Sequence, residues 1–186
     1  MADKKNHESL LDEIVDIELR MFLAVEPSIP SACQEQPDAF KLMRKGSFFV
    51  LSSETLESYL QDLKEAVEDD RNLMTLKYAR IDDLVPCLNT NPMIDEIVDI
   101  EGRWLKELSE RYPLTFKGRS DWAADIYLRS ELETYSDRTL DLYYKDISNA
   151  LKKGENLTEK RYTYIFQQTG YKSIEDMEQE RQEAQQ

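Results

Sequence analysis

A chain of 186 residues with 38 Asp and Glu against 24 Lys and Arg, a net charge of −14, can bury a real core. Its acidic field repels phosphate backbones and argues against generic nucleic-acid binding. Five glycines and one histidine supply no phosphate-cradling glycine loop, no H-E-x-x-H and no histidine pair for a di-iron bundle, so no cofactor and no metal are expected.

The first helix is predicted from about Glu8 to Val25, with His7 a mere polar residue at its start. It contains DEIVDIE, Asp12 to Glu18. The proline-rich EPSIP ends it. Cys33, in SACQEQP, precedes a second helix over about Pro37 to Leu51, with a candidate interruption at Lys45-Gly46. A helix N-terminus can lower a thiol pKa, but no base accompanies Cys33. FFVL (48–51) is the one strand-like run. A third helix starts after Ser52 or Ser53, good N-cap residues, and carries Leu56, Tyr59, Leu60, Leu63 and Val67 at helical spacing. A fourth covers about Leu73 to Leu84.

The pattern then restarts. DEIVDIE recurs as Asp95 to Glu101, inside a helix predicted over Met93 to Arg111. Helices follow over Asp121 to Tyr135, after Ser136, and over Thr158 to Gln168, where Gly170 serves as the stop. A last helix begins after Ser173 and runs into the polar tail ERQEAQQ. DEIVDIELRMF and DEIVDIEGRWL agree at eight of eleven positions, offset by 83; Ser52–Ile81 and Ser136–Ile165 agree at ten of thirty, offset by 84. An internal repeat of this length reads as a duplicated four-helix unit. The expected fold is therefore all-α: one domain of two pseudo-symmetric four-helix units, about 8–85 and 93–169, plus a C-terminal helix and tail at about 173–186.

Helical geometry, about 100° per residue, splits the repeated motif. Leu11, Ile14, Val15, Met21, Phe22 and Val25 lie within about 60° of Glu18, so Glu18 sits mid-way across an apolar arc. Asp12, Glu13, Asp16 and Arg20 face away, and Asp16/Arg20 and Asp99/Arg103 are i,i+4 pairs. Glu101 repeats the placement among Ile97, Val98, Trp104, Leu105 and Leu108. The fourth helix carries the complement: Lys77 is centred on the apolar face of Leu73, Met74 and Ile81, and Arg161 is its counterpart beside Leu157 and Ile165. Unpaired buried charges cost several kcal/mol, so Glu18 and Glu101 are expected to pair with Lys77 and Arg161, within or across the units. Tyr59, Tyr78, Tyr143 and Tyr162 are available to complete the bonding. Asn72 and Asn156 are expected to cap the fourth helix and its counterpart. Glu131, among Ala124, Tyr127, Leu128 and Tyr135, is a further core-side acid whose first-unit equivalent is Ser47.

EIVDIELRMF, SACQEQPDAF, RNLMTLKYAR and YLRSELETYS with TLDLYY resemble a bacterial family catalogued as domain of unknown function 4125. The resemblance covers nearly the whole chain. It implies a bacterial, cytoplasmic protein and no particular chemistry. Its motifs include Glu18, Cys33, Arg44, Asn72, Lys77, Tyr78, Glu131 and Tyr135, which overlap the core-side charges.

Two functions fit. The first is a binding or regulatory module with a buried charged seam between the units, serving a protein partner or a small polar ligand. The second is a small enzyme on a polar metabolite, with Glu18, Glu101 or Glu131 as acid or base and Lys77, Arg161, Tyr78 and Tyr162 binding an anionic substrate. No apolar run approaches the ~18 residues of a membrane span, and the charged start has no signal core. No membrane partner and a cytoplasmic location are expected.

Overall fold

The computed structural model describes residues 2–25, 35–117 and 121–184. Cys33 and the EPSIP segment lie outside them. Among the described residues the regular elements are all helical: α1 (Ala2–Leu23), α2 (Pro37–Phe48), α3 (Ser53–Glu68), α4 (Leu73–Ile81), α5 (Met93–Arg111), α6 (Asp121–Leu132), α7 (Asp137–Lys152), α8 (Leu157–Gln168) and α9 (Ile174–Glu183).

Local chemistry sets these boundaries. Ser52 and Ser136 are extended at φ −67°, ψ 155°, and each accepts the N–H three residues on, opening α3 and α7. Asn72 and Asn156 cap α4 and α8 in the same way, satisfying donors that a helix start leaves without partners. Both asparagines also tether an earlier helix: Asn72 Nδ2 donates to the Met21 carbonyl of α1 at 2.8 Å and Asn156 Nδ2 to the Trp104 carbonyl of α5 at 3.2 Å. The turns after α3 and α7 reverse through a left-handed residue, Asp70 at φ 54° and Gly154 at φ 67°. Arg71 and Glu155 then donate back to the carbonyls of Ala66 and Ala150, a Schellman closure.

Several expectations change. α1 begins at Ala2, six residues before the predicted start. His7 is more than a polar residue there, because its Nε2 bonds the Leu51 carbonyl at 2.9 Å and ties α1 to the turn before α3. α2 runs through Lys45-Gly46 without a break and stops at Phe48. FFVL forms no strand; Phe49 and Leu51 donate back to Lys45 and Phe48 as the helix unwinds into a turn. α4 stops at Ile81 because Asp83 turns left-handed at φ 55° and Leu84 donates to the Ala79 carbonyl. Leu84, beyond that stop, is 75% exposed. Asp16 pairs with Lys41 at 2.7 Å, while Arg20 donates to the Asp16 backbone carbonyl; Asp99–Arg103 forms as expected.

The packing scheme is reciprocal. α1 contacts α2, α3 and α4, and α5 contacts α6, α7 and α8. The two sets meet through α3 with α7, α2 with α8, and α4 with α6. Exchanging the sets maps the first contact onto itself and the other two onto each other. The polar bonds follow suit. Ser52 N–H donates to Asp146 Oδ2 at 2.9 Å and Ser136 N–H to Asp62 Oδ2 at 3.0 Å, with Ser58 and Thr139 hydroxyls meeting at 2.7 Å between them. Such reciprocity is what a two-fold contact produces. A large core fills both sets and includes Ile14, Leu56, Leu63, Ile97, Leu140 and Ile147, each at most 0% exposed. A smaller one, around Leu108, Phe116, Phe166 and Ile174, seats α9. Glu178 of α9 anchors there, accepting from the Leu114 and Thr115 N–H groups and the Thr115 hydroxyl.

Gly46 sets the approach of α2 to α8. A Cβ added there would lie 2.5 Å from Ile165 Cγ1 and 2.7 Å from Cδ1. Alanine is the better helix former by about 1 kcal/mol, yet Gly46→Ala is expected to destabilise by about 1–3 kcal/mol through overpacking. Urea denaturation measures it, and relief by Ile165→Ala in the same chain would locate the clash. A net gain in stability from Gly46→Ala alone would sink the close-approach account.

Candidate functional site

The helices border a cleft of about 600 Å³, walled by α2, α4, α6 and α8 and floored by side chains of α1, α5 and α7. It opens to solvent beside Met43 and Tyr127, which are 43% and 44% exposed. Its walls are largely aromatic and aliphatic. Charged groups converge at its base, and they form two networks.

In the first, Arg44 bridges two carboxylates. Its Nε and Nη2 donate to Glu18 at 2.7 and 2.6 Å, and its Nη1 and Nη2 donate to Glu131 at 2.9 and 2.8 Å. The guanidinium also lies 4.6 Å from the Phe48 ring centroid. Tyr59 donates to Glu18 and Tyr135 to Glu131, at 2.7 and 2.8 Å. Lys77 donates to Glu131 and sits 4.6 Å from the Tyr127 ring centroid. Glu18 is 0% exposed and Lys77 5%. Burial opposes the charge on Glu131, but Arg44 and then Lys77 outweigh it and hold this carboxyl well below the usual carboxylate range. Burial also acts on Lys77, aided by repulsion from Arg44 and offset only in part by Glu131, so its ammonium loses its proton below the ordinary lysine value. Burial and the nearby carboxylate push the Tyr59 and Tyr135 phenols up, which keeps both as donors.

In the second network, Arg161 donates to Glu101, to the Tyr143 hydroxyl at 2.9 Å and to the Ser47 carbonyl at 3.1 Å. Tyr143 and Thr158 complete Glu101, at 3.0 and 2.9 Å. Burial opposes the Arg161 charge, but Glu101 and Tyr143 raise its pKa above the ordinary arginine value.

Of the pairings left open for Glu101, the one with Arg161 forms, between α5 and α8. The other pairing is corrected. Glu18 meets Arg44, and Lys77 reaches Glu131 on α6. The reason lies in two unmatched positions. At the repeat offset, Arg44 corresponds to Leu128 and Ser47 to Glu131. With Arg44 satisfying Glu18, Lys77 is left to reach across to Glu131. With Leu128 in the place of Arg44, Arg161 turns inward to Glu101, and across the units it finds only the Ser47 backbone. Tyr59 and Tyr143 complete the carboxylates as expected. Tyr78 and Tyr162 line the cleft instead: the Tyr78 and Tyr127 hydroxyls meet at 3.1 Å, and Tyr162 packs edge-on against Phe116.

Two buried acids escaped the sequence reading. Glu133 accepts from Arg80 at 2.8 Å and from the Leu88 N–H at 3.1 Å. It lies just past the end of α6, and on the helix predicted to Tyr135 it falls about 200° from Glu131, off the apolar arc. Glu178 sits in a helix polar enough to hide it. The described cysteine, Cys87, is an exposed free thiol. Among the described residues no cluster of His, Cys, Asp or Glu is arranged to hold a metal ion, and no helix is long and apolar enough to cross a membrane.

Fold and cleft together define an all-helical protein whose buried charges gather under a solvent-open pocket. The chain belongs to the family described as Protein of unknown function (DUF4125), whose model matches residues 8–179. No curated protein and no solved structure matches it.

Proposed function

We propose that the cleft binds a small molecule and that the protein is a cytoplasmic binding or regulatory module. The carrying observation is the cleft itself. Its volume of about 600 Å³ lies within the ~300–1,000 Å³ of small-molecule sites, which combine apolar walls with a few convergent polar groups. The state of the carboxylates favours binding over acid–base catalysis. Glu18 is sealed under the floor. Glu131 has two bonds on each oxygen and is held ionised, which makes it a poor base. The enzyme reading keeps Glu101 as its acid or base, with Lys77, Arg161, Tyr78 and Tyr162 along the cleft to hold a substrate.

The same reading takes the chain as one domain made by internal duplication, with units at about 8–85 and 93–169 and α9 docked on the second. The sequence offset of 83 and then 84, the matched caps and the reciprocal contacts support it. An exposed free thiol accords with a reducing compartment.

A thermal-shift screen of small metabolites tests the binding reading. A ligand present at about 100 times its Kd stabilises by about 2.7 kcal/mol, a rise of roughly 5–11 °C for a chain of this size. Ala124→Trp, which fills the cleft from its α6 wall, should abolish that rise. Hits that survive this substitution, or a screen with no hits, would count against the cleft.

A further inference from the structure

We infer that the occupant of the cleft is a small organic anion with a flat apolar body, its acceptor group held by Lys77 and Arg161. The inference rests on the cleft being a binding site.

The argument is a count of hydrogen-bonding capacity. On the acceptor side, a carboxylate offers about four lone-pair positions. Glu131 has all of them filled, by Arg44 twice, Tyr135 and Lys77. Glu101 accepts from Tyr143, Thr158 and Arg161. The Ser47 hydroxyl is turned to the Met43 carbonyl. Asp125, the other lining acid, has contacts of its own. On the donor side the count is open. An ammonium has three N–H groups, and among the described residues Lys77 gives one of them, to Glu131. A guanidinium has five, and among the described residues Arg161 gives three, to Ser47, Glu101 and Tyr143. Among the described residues, buried Lys77 and partly exposed Arg161 thus keep spare donors at the base of a cleft whose carboxylates are nearly saturated. A ligand meeting them must bring acceptors, and an anionic group makes the stronger, charge-assisted bonds.

The walls define the rest of the molecule. Phe22 and Phe40 stack at 4.6 Å, and Tyr78 and Tyr127 meet edge-on at 6.0 Å. These rings present flat apolar faces, and Met43 and Met74 supply adaptable thioethers between them. The chain's net charge of −14 repels anions at long range, so selectivity for one arises at contact.

Fluorescence titration of the full chain with two dyes tests this. 8-Anilinonaphthalene-1-sulfonate carries the anion; N-phenyl-1-naphthylamine has the same aromatic body without it. The sulfonate is expected to bind saturably and about tenfold or more tighter than the neutral dye. Lys77→Met should cut sulfonate affinity about tenfold, as expected for loss of one charge-assisted bond, and leave the neutral dye within about twofold. Equal affinities on the unaltered chain overturn the anion assignment while leaving the binding site standing, and that comparison decides the matter even where Lys77→Met does not fold. Sulfonate binding unmoved in folded Lys77→Met also overturns it. Saturable binding of neither dye overturns both the anion assignment and the binding reading.

Discussion

Replacing Arg44 by methionine is expected to destabilise the protein by about 3–5 kcal/mol, the range for stripping a buried charge of its partner, or roughly 6–20 °C in Tm for a chain of this size. Methionine fills much of the arginine's volume, so the loss reports the charge and not a cavity. The substitution leaves Glu18, 0% exposed, with Tyr59 as its remaining partner, and leaves Glu131 with Lys77 and Tyr135. Arg44→Lys should fall between, since one ammonium cannot repeat the planar fork that meets two carboxylates at 2.6 to 2.9 Å. Adding Glu18→Gln to Arg44→Met should recover part of the loss, because the amide removes the stranded charge. Urea denaturation of the four proteins measures the series. An Arg44→Met chain within about 1 kcal/mol of the parent would show that Glu18 is not the buried ion that the geometry describes.

Arg161→Met should have the second largest effect, about 3 kcal/mol, at the low end of the same range. Glu101 keeps Tyr143 and Thr158 and is 6% exposed, so it is less completely stranded. The contact is local to one unit except for the bond to the Ser47 carbonyl. A double-mutant cycle with Glu101→Gln isolates the pair, with an expected coupling of about 1–3 kcal/mol. Additive effects of the two substitutions would mean that the pair contributes nothing as a pair, and that Arg161 acts through Ser47 and Tyr143.

The positions of these charges were legible in the sequence where a helix was long and regular. α1 and α5 have an unambiguous apolar arc, and Glu18 and Glu101 stand inside it. Partner choice was harder to read, because which helices cross is a tertiary fact. Arg44 could have been found by the test that found Glu18: on α2 it lies between Phe40 and Phe48, four residues to either side, in the middle of an apolar stripe. With Arg44 placed there, Lys77 would have been freed and Glu131 left as its natural partner. The cleft itself carries no linear signal. Its walls come from helices far apart in the chain, α2, α4, α6 and α8, and their residues read individually as ordinary packing side chains.

The asymmetry at Arg44/Leu128 and Ser47/Glu131 has a consequence for what each half could do by itself. Glu18, Arg44 and Lys77 sum to +1 in the first half; Glu101, Glu131 and Arg161 sum to −1 in the second. Two copies of the first half, brought together in the same geometry, would strand two positive charges in their shared interior, and two copies of the second would strand two negative ones. Only the unlike pairing closes to zero. The two halves dock through matched contacts, yet their interiors complement one another as a lock and its key, and neither could serve as the other's replacement.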